Sequence, residues 1–193
     1  MLKAEMLIYM PDLRTPRLRL RKLTMRDAAD IYRYSRDPEV ARHVLWDAHR
    51  SIGDSRAYLR YMLRKYRSHE SASWGIELME NRRIIGTIGF MWVQEDNAAA
   101  EVGYSLVREY WGRGLMTEAL RAVLQYGFDH MRLNRIEAQH ETTNPASGAV
   151  MRKCHMQHEG TLRSRLFNKG RYVDVELYAI LRKDFNRERG RLK

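Results

Sequence analysis

Two glycines lie where a strand-like run of residues gives way to a helix-like run, within the segment 102–120. Gly112 and Gly114 let the backbone turn tightly, so that consecutive N–H groups can point into one concavity. The unpaired amides at the start of a helix and the helix macrodipole together favour an anion there. The side chains of Arg113 and Thr117 add possible donors. The spacing therefore predicts a phosphate-binding loop.

This loop fits neither of two common nucleotide motifs, because GxxxxGK[ST] is absent and GxGxxG is incomplete. The alternative that the glycines only shape a strand-to-helix turn stays open at this point.

Other reactive side chains give weaker signals. His140, His155 and His158 follow no common zinc spacing, so we predict no metal site. Cys154 has no recognisable His–acid partner, which favours a packing role at a helix end.

Hydrophobic periodicity indicates the elements that must position this loop. Apolar residues alternate in the strand-like runs and recur at helical spacing in the others, and Thr24 and Ser51 are each followed three residues later by Asp, as in a capping box. The predicted helices cover about 25–36, 51–67, 115–131 and 145–153. The predicted strands cover about 15–21, 72–79, 84–93, 99–107, 134–141, 159–167 and 172–181. This order predicts an α/β (α+β) fold whose mixed, largely antiparallel sheet has about six or seven strands flanked by about four helices.

Composition sets the class of protein. The chain has 193 residues, 44% of them hydrophobic and 31% charged, which is enough for one folded domain and excludes wholesale disorder. The longest apolar stretch, 84–93, is too short to span a bilayer, and the first ten residues lack the apolar run of a signal peptide. A single cysteine, Cys154, fits a reducing compartment. We therefore predict a cytoplasmic protein without membrane contact.

The positive charge is concentrated at the two ends of the chain. The net charge is +11, and residues 1–22 and 182–193 each hold six Lys or Arg against two acidic residues. A basic C-terminal tail at 184–193 is usually a solvated terminus. The same tail would also suit association with RNA or a ribosome.

The glycine loop resembles the acetyl-CoA pyrophosphate loop of the GNAT superfamily of N-acetyltransferases, usually written [QR]xxGx[GA]. Here it is Glu109-Tyr-Trp-Gly112-Arg-Gly114, so Glu109 departs from the pattern. TPRLRLRKLTMRDA, YWGRGLMTEAL, ETTNPASGAVMRK, EGTLR and GRYVDVELYAIL resemble the branch that acetylates the N-termini of ribosomal proteins (the Rim type). The likeness covers about 14–184, and residues 1–193 are predicted to form one N-acetyltransferase domain. A second departure is Cys154-His155-Met156, where the family commonly has Gly-Phe.

The resemblance implies direct acetyl transfer from acetyl-CoA to an amine, with no acyl-enzyme and no metal. It implies that backbone groups of Leu106 and Val107 hold the pantetheine arm and polarise the thioester, provided that their strand separates from its neighbour. The other implied cofactor-binding residues are Gly112, Arg113, Gly114, Leu115, Met116, Thr117 and Asn144.

Two residues are candidates for proton transfer. Glu101 lies on the strand that leads into the loop and is the candidate base, although a structural glutamate or a water relay stays possible. Ser147 occupies the family's serine position and is the candidate proton donor to the leaving thiolate. Asn144 and Ser147 also suit a helix cap, a role compatible with the first.

The sequence leaves the acceptor open. A protein N-terminal α-amine, such as that of a ribosomal protein, is the leading hypothesis. A small amine (amino acid, polyamine or aminoglycoside) is the second, with a closed acidic pocket favouring a polyamine or aminoglycoside and an open groove favouring a peptide. A non-catalytic module associated with RNA or the ribosome is the third. The protein is expected to be a monomer or a homodimer.

Overall fold

A mixed eight-stranded sheet forms the centre of the fold in the computed structural model, which describes residues 10–68 and 70–191. Its strand order is β1-β2-β3-β4-β5-β6-β8-β7, and every neighbouring pair is antiparallel except β5 and β6. The strands are β1 (Leu13–Arg14), β2 (Leu18–Arg21), β3 (Ser73–Leu78), β4 (Arg83–Gln94), β5 (Ala99–Leu106), β6 (Arg135–Glu141), β7 (Gln157–Asn168) and β8 (Arg171–Leu181). The helices are α1 (Ala28–Ser35), α2 (Pro38–Ala41), α3 (Ile52–Arg67), α4 (Leu115–Asp129), α5 (Pro145–Lys153) and α6 (Arg182–Arg191). The predicted α/β fold class is confirmed.

Local signals account for most of these boundaries. Leu18 and Leu20 alternate with basic residues in β2, and both are completely buried. Asp54 accepts from the backbone N–H of Ser51, so that the capping box predicted for α3 is present. The turn between β7 and β8 has positive φ at both Lys169 and Gly170, which matches the twist of a two-residue hairpin.

The structure adds elements that periodicity did not indicate. The predicted strand at 15–21 is the second arm of a small hairpin, with Leu13 paired to Leu20. Asp37 caps the extra helix α2 by accepting from the Glu39 amide at 3.0 Å. The strand β1 raises the sheet to eight strands, and α2 together with the C-terminal α6 raises the helices of the described ranges to six.

The basic C-terminal segment is a docked helix over most of its length. In α6 the ring of Phe185 lies 4.9 Å from the ring of Phe128, and Arg189 pairs with Asp129 at 2.8 Å. The described part of the predicted basic tail is therefore helical and contacts α4 through Phe185 and Arg189. The expectation about residues 1–9 lies outside the described residues. Within 10–68 and 70–191, none of the helices combines the length and the apolar character needed to cross a bilayer.

The feature that makes room for a site is the divergence of β5 from β6. The two parallel strands pair only from Ala99 to Glu101, against 135–137. Beyond this point β5 continues along β4 and β6 along β8, with the extra residue of a β-bulge between Phe90 and Trp92 on β4. Parallel strands that separate leave one edge of each backbone unpaired, so a cleft opens beside residues 102–106.

Candidate active site

The glycine loop presents unpaired amides at the start of α4. Gly112 and Gly114 have φ values of 74° and 75°, in the left-handed region that glycine adopts without strain. Gly114 is the N-cap of α4 and contributes no side-chain cap, so the first-turn amides receive no acceptor from the helix. Across the described residues, the backbone N–H groups from Gly112 to Thr117 have no hydrogen-bond acceptor. These N–H groups are therefore available to an anion, as the predicted phosphate-binding loop requires.

Arg17, in the turn between β1 and β2, holds this loop in place. Its guanidinium donates to Glu118 in the first turn of α4 at 2.7 Å and to the carbonyl of Arg113 at 3.0 Å. Glu118 also accepts from the hydroxyl of Thr15 at 2.6 Å. Burial opposes ionisation of Glu118, but these donors, beginning with Thr15, lower the pKa of its carboxyl below the ordinary value. The sequence alone did not identify Arg17 as part of the site.

A cavity of about 370 Å³ lies in front of the loop. Its walls come from the loop, the end of β5, and helices α2, α4 and α5. The predicted cofactor residues that line it are Leu106, Gly112, Gly114, Leu115, Met116, Thr117 and Asn144. Val107 and Arg113 are not among the lining residues, and the Arg113 guanidinium lies over the ring of Tyr110.

The two backbone groups expected to hold the pantetheine arm differ in direction. The amide of Val107 donates to the carbonyl of Ile85 on β4 at 2.7 Å, so it is not free for a ligand, contrary to the expectation. Because direction alternates along an antiparallel ladder, the amide of Leu106 faces away from β4 and towards the cleft. The Leu106 carbonyl accepts from the Trp111 indole at 2.8 Å. Leu106 alone of this pair offers an N–H to the cleft.

A second cavity of about 420 Å³ adjoins the first and has mainly apolar and aromatic walls. The two cavities share six lining residues: His43, Val44, Tyr104, Ser105, Asn144 and Ser147. We call these six residues the junction, because a donor in the first cavity and an acceptor in the second would meet there.

Glu101 lines the second cavity only. Its two carboxylate oxygens accept from the Trp92 indole at 2.8 Å and from the Gln139 amide at 3.1 Å. Both donors are neutral, and no cation among the described residues is paired with this carboxylate. This arrangement leaves a negative charge facing the second cavity.

Ser147 stands at the junction beside a tyrosine that the sequence did not indicate. The hydroxyls of Ser147 and Tyr104 are 3.0 Å apart, and Tyr104 also reaches the Ser147 carbonyl at 3.1 Å. Burial raises the pKa of Tyr104 well above its ordinary value, so its hydroxyl stays protonated. Asn144 caps α5 through the Ser147 amide, as the capping alternative predicted. The cap leaves the Ser147 side chain directed to Tyr104.

Cys154 is buried and lies within 3.5 Å of the carbonyl of Thr117. Burial raises the pKa of its thiol to about 12, which keeps it protonated and fits the predicted packing role. Within the described residues, no group of three or more His, Cys, Asp or Glu side chains is arranged to hold a metal ion.

Comparison with known proteins gives this geometry a family. Residues 17–157 match the model of the acetyltransferase (GNAT) domain. The uncharacterized N-acetyltransferase p20 of Bacillus licheniformis is 33% identical over 176 residues, covering 91% of this chain and 99% of p20. A crystal structure of a GNAT-family acetyltransferase from Bacillus anthracis has a TM-score of 0.80 and 25% identity, covering 90% and 99% of the two chains.

Two further matches are more distant. The ribosomal-protein-serine acetyltransferase of Escherichia coli is 30% identical over 102 residues, covering 53% of this chain and 57% of that enzyme. The microcin C7 self-immunity acetyltransferase MccE, whose structure contains acetyl-CoA and AMP, has the same fold. Its TM-score is 0.78 at 20% identity, and the match covers 86% of this chain and 93% of MccE. The chain belongs to the GNAT family and is an acetyl-CoA-dependent N-acetyltransferase.

Proposed function

We propose that this enzyme acetylates the N-terminal α-amine of a protein, a ribosomal protein being the first candidate, in the cytoplasm. The observation that carries the proposal is the meeting of two cavities at Tyr104 and Ser147, one beside the glycine loop and one with mainly apolar walls. The name of the Escherichia coli relative supports the choice of a ribosomal protein.

The walls of the second cavity favour a peptide over a polycation. Aromatic and aliphatic side chains dominate them, and the acidic residues Glu101 and Glu141 are accompanied by Lys65. A polyamine or aminoglycoside carries several cations that need several carboxylates, since burying an unpaired charge is costly. A peptide N-terminus brings one ammonium and an apolar chain. The closed acidic pocket expected for the small-amine hypothesis is not what lines this cavity.

Each group then has a role in direct transfer. The first-turn amides of α4 hold the diphosphate, and the Leu106 amide donates to the thioester oxygen, where negative charge develops. Ser147, hydrogen-bonded to Tyr104, gives a proton to the departing thiolate. Glu101 attracts the ammonium into the second cavity and is a candidate for removing its proton. An α-amine has a reference pKa of about 7.7–8.0, so a modest base suffices near neutral pH.

The test is to incubate the enzyme with acetyl-CoA and each of three acceptors: a hexapeptide with a free N-terminal serine, spermidine and kanamycin. We expect mass spectrometry to show one added acetyl group on the peptide and none on its N-terminally blocked, lysine-containing control. Acetylation of spermidine or kanamycin without the peptide would overturn the choice of acceptor. Failure of acetyl-CoA to bind in calorimetry would overturn the whole proposal, and the non-catalytic module would then be the better hypothesis.

The role of Glu101 has its own test in the same assay. Glu101→Gln keeps the shape of the side chain and removes its charge. We expect a lower rate of peptide acetylation whose deficit shrinks at high pH, where the amine is already neutral. An unchanged rate and pH profile would remove Glu101 from the mechanism.

A further inference from the structure

His43 lies at the point where the two cavities meet, in the segment that follows α2. We propose that His43 is the base that takes the proton from the acceptor amine, and that Glu141 positions its imidazole. This inference rests on the proposed transfer to an amine. It adds to that proposal a histidine–carboxylate pair drawn from residues 98 positions apart in the chain.

Glu141, the last residue of β6, is a buried carboxylate with a full set of partners. Its side chain is 3% exposed. One oxygen accepts from the Asn168 amide at 2.6 Å, and the other lies 3.2 Å from His43 Nδ1 and 3.5 Å from the Arg171 guanidinium. Burial opposes ionisation, but the hydrogen bonds from Asn168 and His43, together with the charge of Arg171, lower the pKa of Glu141. Glu141 is therefore a fixed anion.

A fixed anion beside Nδ1 selects one form of the neutral imidazole. Nδ1 must carry the proton in order to donate to Glu141, which leaves the lone pair on Nε2. No hydrogen-bond partner for Nε2 lies within the described parts of the chain, and the residue lines both cavities. The imidazole is thus held with its basic nitrogen free at the junction.

The charged groups around this imidazole come from several elements. Glu141 contacts it from β6, and Arg171 on β8 pairs with the same carboxylate oxygen of Glu141. The other charged residues that line one or both cavities are Glu39 from α2, Lys65 from α3, Glu101 from β5 and Lys153 from α5. Glu39 is paired with Arg42 at 3.6 Å. Glu141 is the carboxylate in direct hydrogen-bond contact with the imidazole.

Acetyl transfer by these groups accounts for every proton and every bond that changes. Nε2 of His43 takes one proton from the ammonium, and the free amine attacks the thioester carbon, forming the C–N bond. Collapse of the tetrahedral intermediate breaks the C–S bond, and the electron pair leaves with sulfur. A second proton from the nitrogen reaches the sulfur through the Ser147 hydroxyl, giving the amide and the free thiol of coenzyme A. The imidazolium then releases its proton to solvent.

Position separates this role from that of Glu101. Glu101 lines only the second cavity, and both of its oxygens already accept hydrogen bonds. His43 stands where donor and acceptor meet and has an unused basic nitrogen. Glu101 then receives the ammonium on its approach, and His43 removes the proton at the point of transfer.

The first experiment compares His43→Gln, Glu141→Gln and Glu101→Gln, with His130→Gln as the matched control because His130 is exposed at the end of α4. Peptide acetylation is followed across pH. A general base contributes about 10²- to 10⁴-fold, so we expect kcat/KM of His43→Gln to fall at least about a hundredfold at neutral pH and to recover at high pH. Glu141→Gln should show the same change of pH profile with a smaller loss. Acetyl-CoA affinity should stay unchanged in both variants.

A second measurement does not depend on the acceptor. In ¹⁵N-labelled enzyme, the imidazole signals of His43 are identified by their absence from the His43→Gln variant. These signals should show a protonated Nδ1 and an unprotonated Nε2, and Glu141→Gln should abolish that preference. A proton on Nε2 in the wild type, or a pH profile unaltered by His43→Gln, would overturn the inference. Absence of turnover with every acceptor would count against the proposed function. The imidazole signals would still show whether Glu141 orients the His43 ring.

Discussion

A substitution at Gly114 tests whether the backbone of the glycine loop binds the cofactor. Alanine at φ 75° carries a left-handed strain of roughly 1–2 kcal/mol. Its Cβ would meet nothing closer than Arg17 Nη2 at 3.7 Å, so strain is the main cost. Gly170 is a matched control, because it has φ 80° in the β7–β8 turn and no atom within 4 Å of its Cβ position. Both variants should lose about the same free energy of unfolding.

Only Gly114→Ala should also lose affinity for acetyl-CoA. Strain at the N-cap is relieved by rotating the peptide planes on either side of it, which turns amides away from the diphosphate. A hydrogen bond to a charged group contributes roughly 1.5–3 kcal/mol, so losing one weakens binding roughly ten- to a hundredfold. Calorimetry at fixed ionic strength measures this affinity, and urea unfolding measures the stability.

The pair of variants gives a clear refutation. If Gly114→Ala loses stability as Gly170→Ala does and still binds acetyl-CoA as tightly as the wild type, the loop amides do not hold the cofactor.

Three further predictions follow from the site and from α6. Ser147→Ala should lower kcat by at least about tenfold, since proton transfer contributes about 10²- to 10⁴-fold when fully lost, while calorimetry shows unchanged affinity for acetyl-CoA; an unchanged kcat would exclude the serine as the donor. Glu118→Gln should destabilise the protein at neutral pH through loss of the contact with Arg17. The pKa of the Glu118 carboxyl is lower in the folded protein than in the unfolded chain. The stabilisation is therefore present above the unfolded-state pKa and is lost as the pH falls through the folded-state pKa, so the free energies of unfolding of wild type and variant should converge in acid. A stability difference that does not change with pH would contradict this. Phe185→Ala should lower the thermal midpoint through lost packing on Phe128, and an unchanged midpoint would mean that α6 is not docked in solution.

Features set by neighbouring residues could be predicted from the sequence. The alternation around Leu18 and Leu20, the capping box at Ser51 and Asp54, and the proline at the start of α5 depend on contacts within a few positions. The glycine loop belongs with them, because a strand, two glycines and an apolar helix lie consecutively in the chain. Family resemblance then extended the prediction to an acetyl-CoA site.

Features set by distant contacts could not be predicted. The divergence of β5 from β6 depends on the register of a parallel pair, which leaves no local pattern. The engagement of the Val107 amide with Ile85 depends on register in the same way. The contact of His43 with Glu141 arises only because the segment after α2 and the end of β6 meet at the cleft. Glu141 begins the segment ETTNPASGAVMRK, but nothing in that segment indicated His43 as its partner.

The helix α6 makes a contact that its composition did not predict. Its sequence is strongly basic and polar, as in a solvated tail. A single aromatic residue, Phe185, finds Phe128 on α4, and an ion pair to Asp129 reinforces the contact. One partly buried aromatic contact can hold a short polar helix that has no clear apolar stripe of its own.

The most direct measurement of the account is an amide ¹H–¹⁵N titration of the assigned enzyme with acetyl-CoA. We expect the amides of Gly112, Gly114, Leu115 and Met116 to move downfield as they gain charged acceptors, while the Gly170 amide in the distant hairpin turn stays in place. Binding of acetyl-CoA that leaves the four loop amides unmoved would contradict the account.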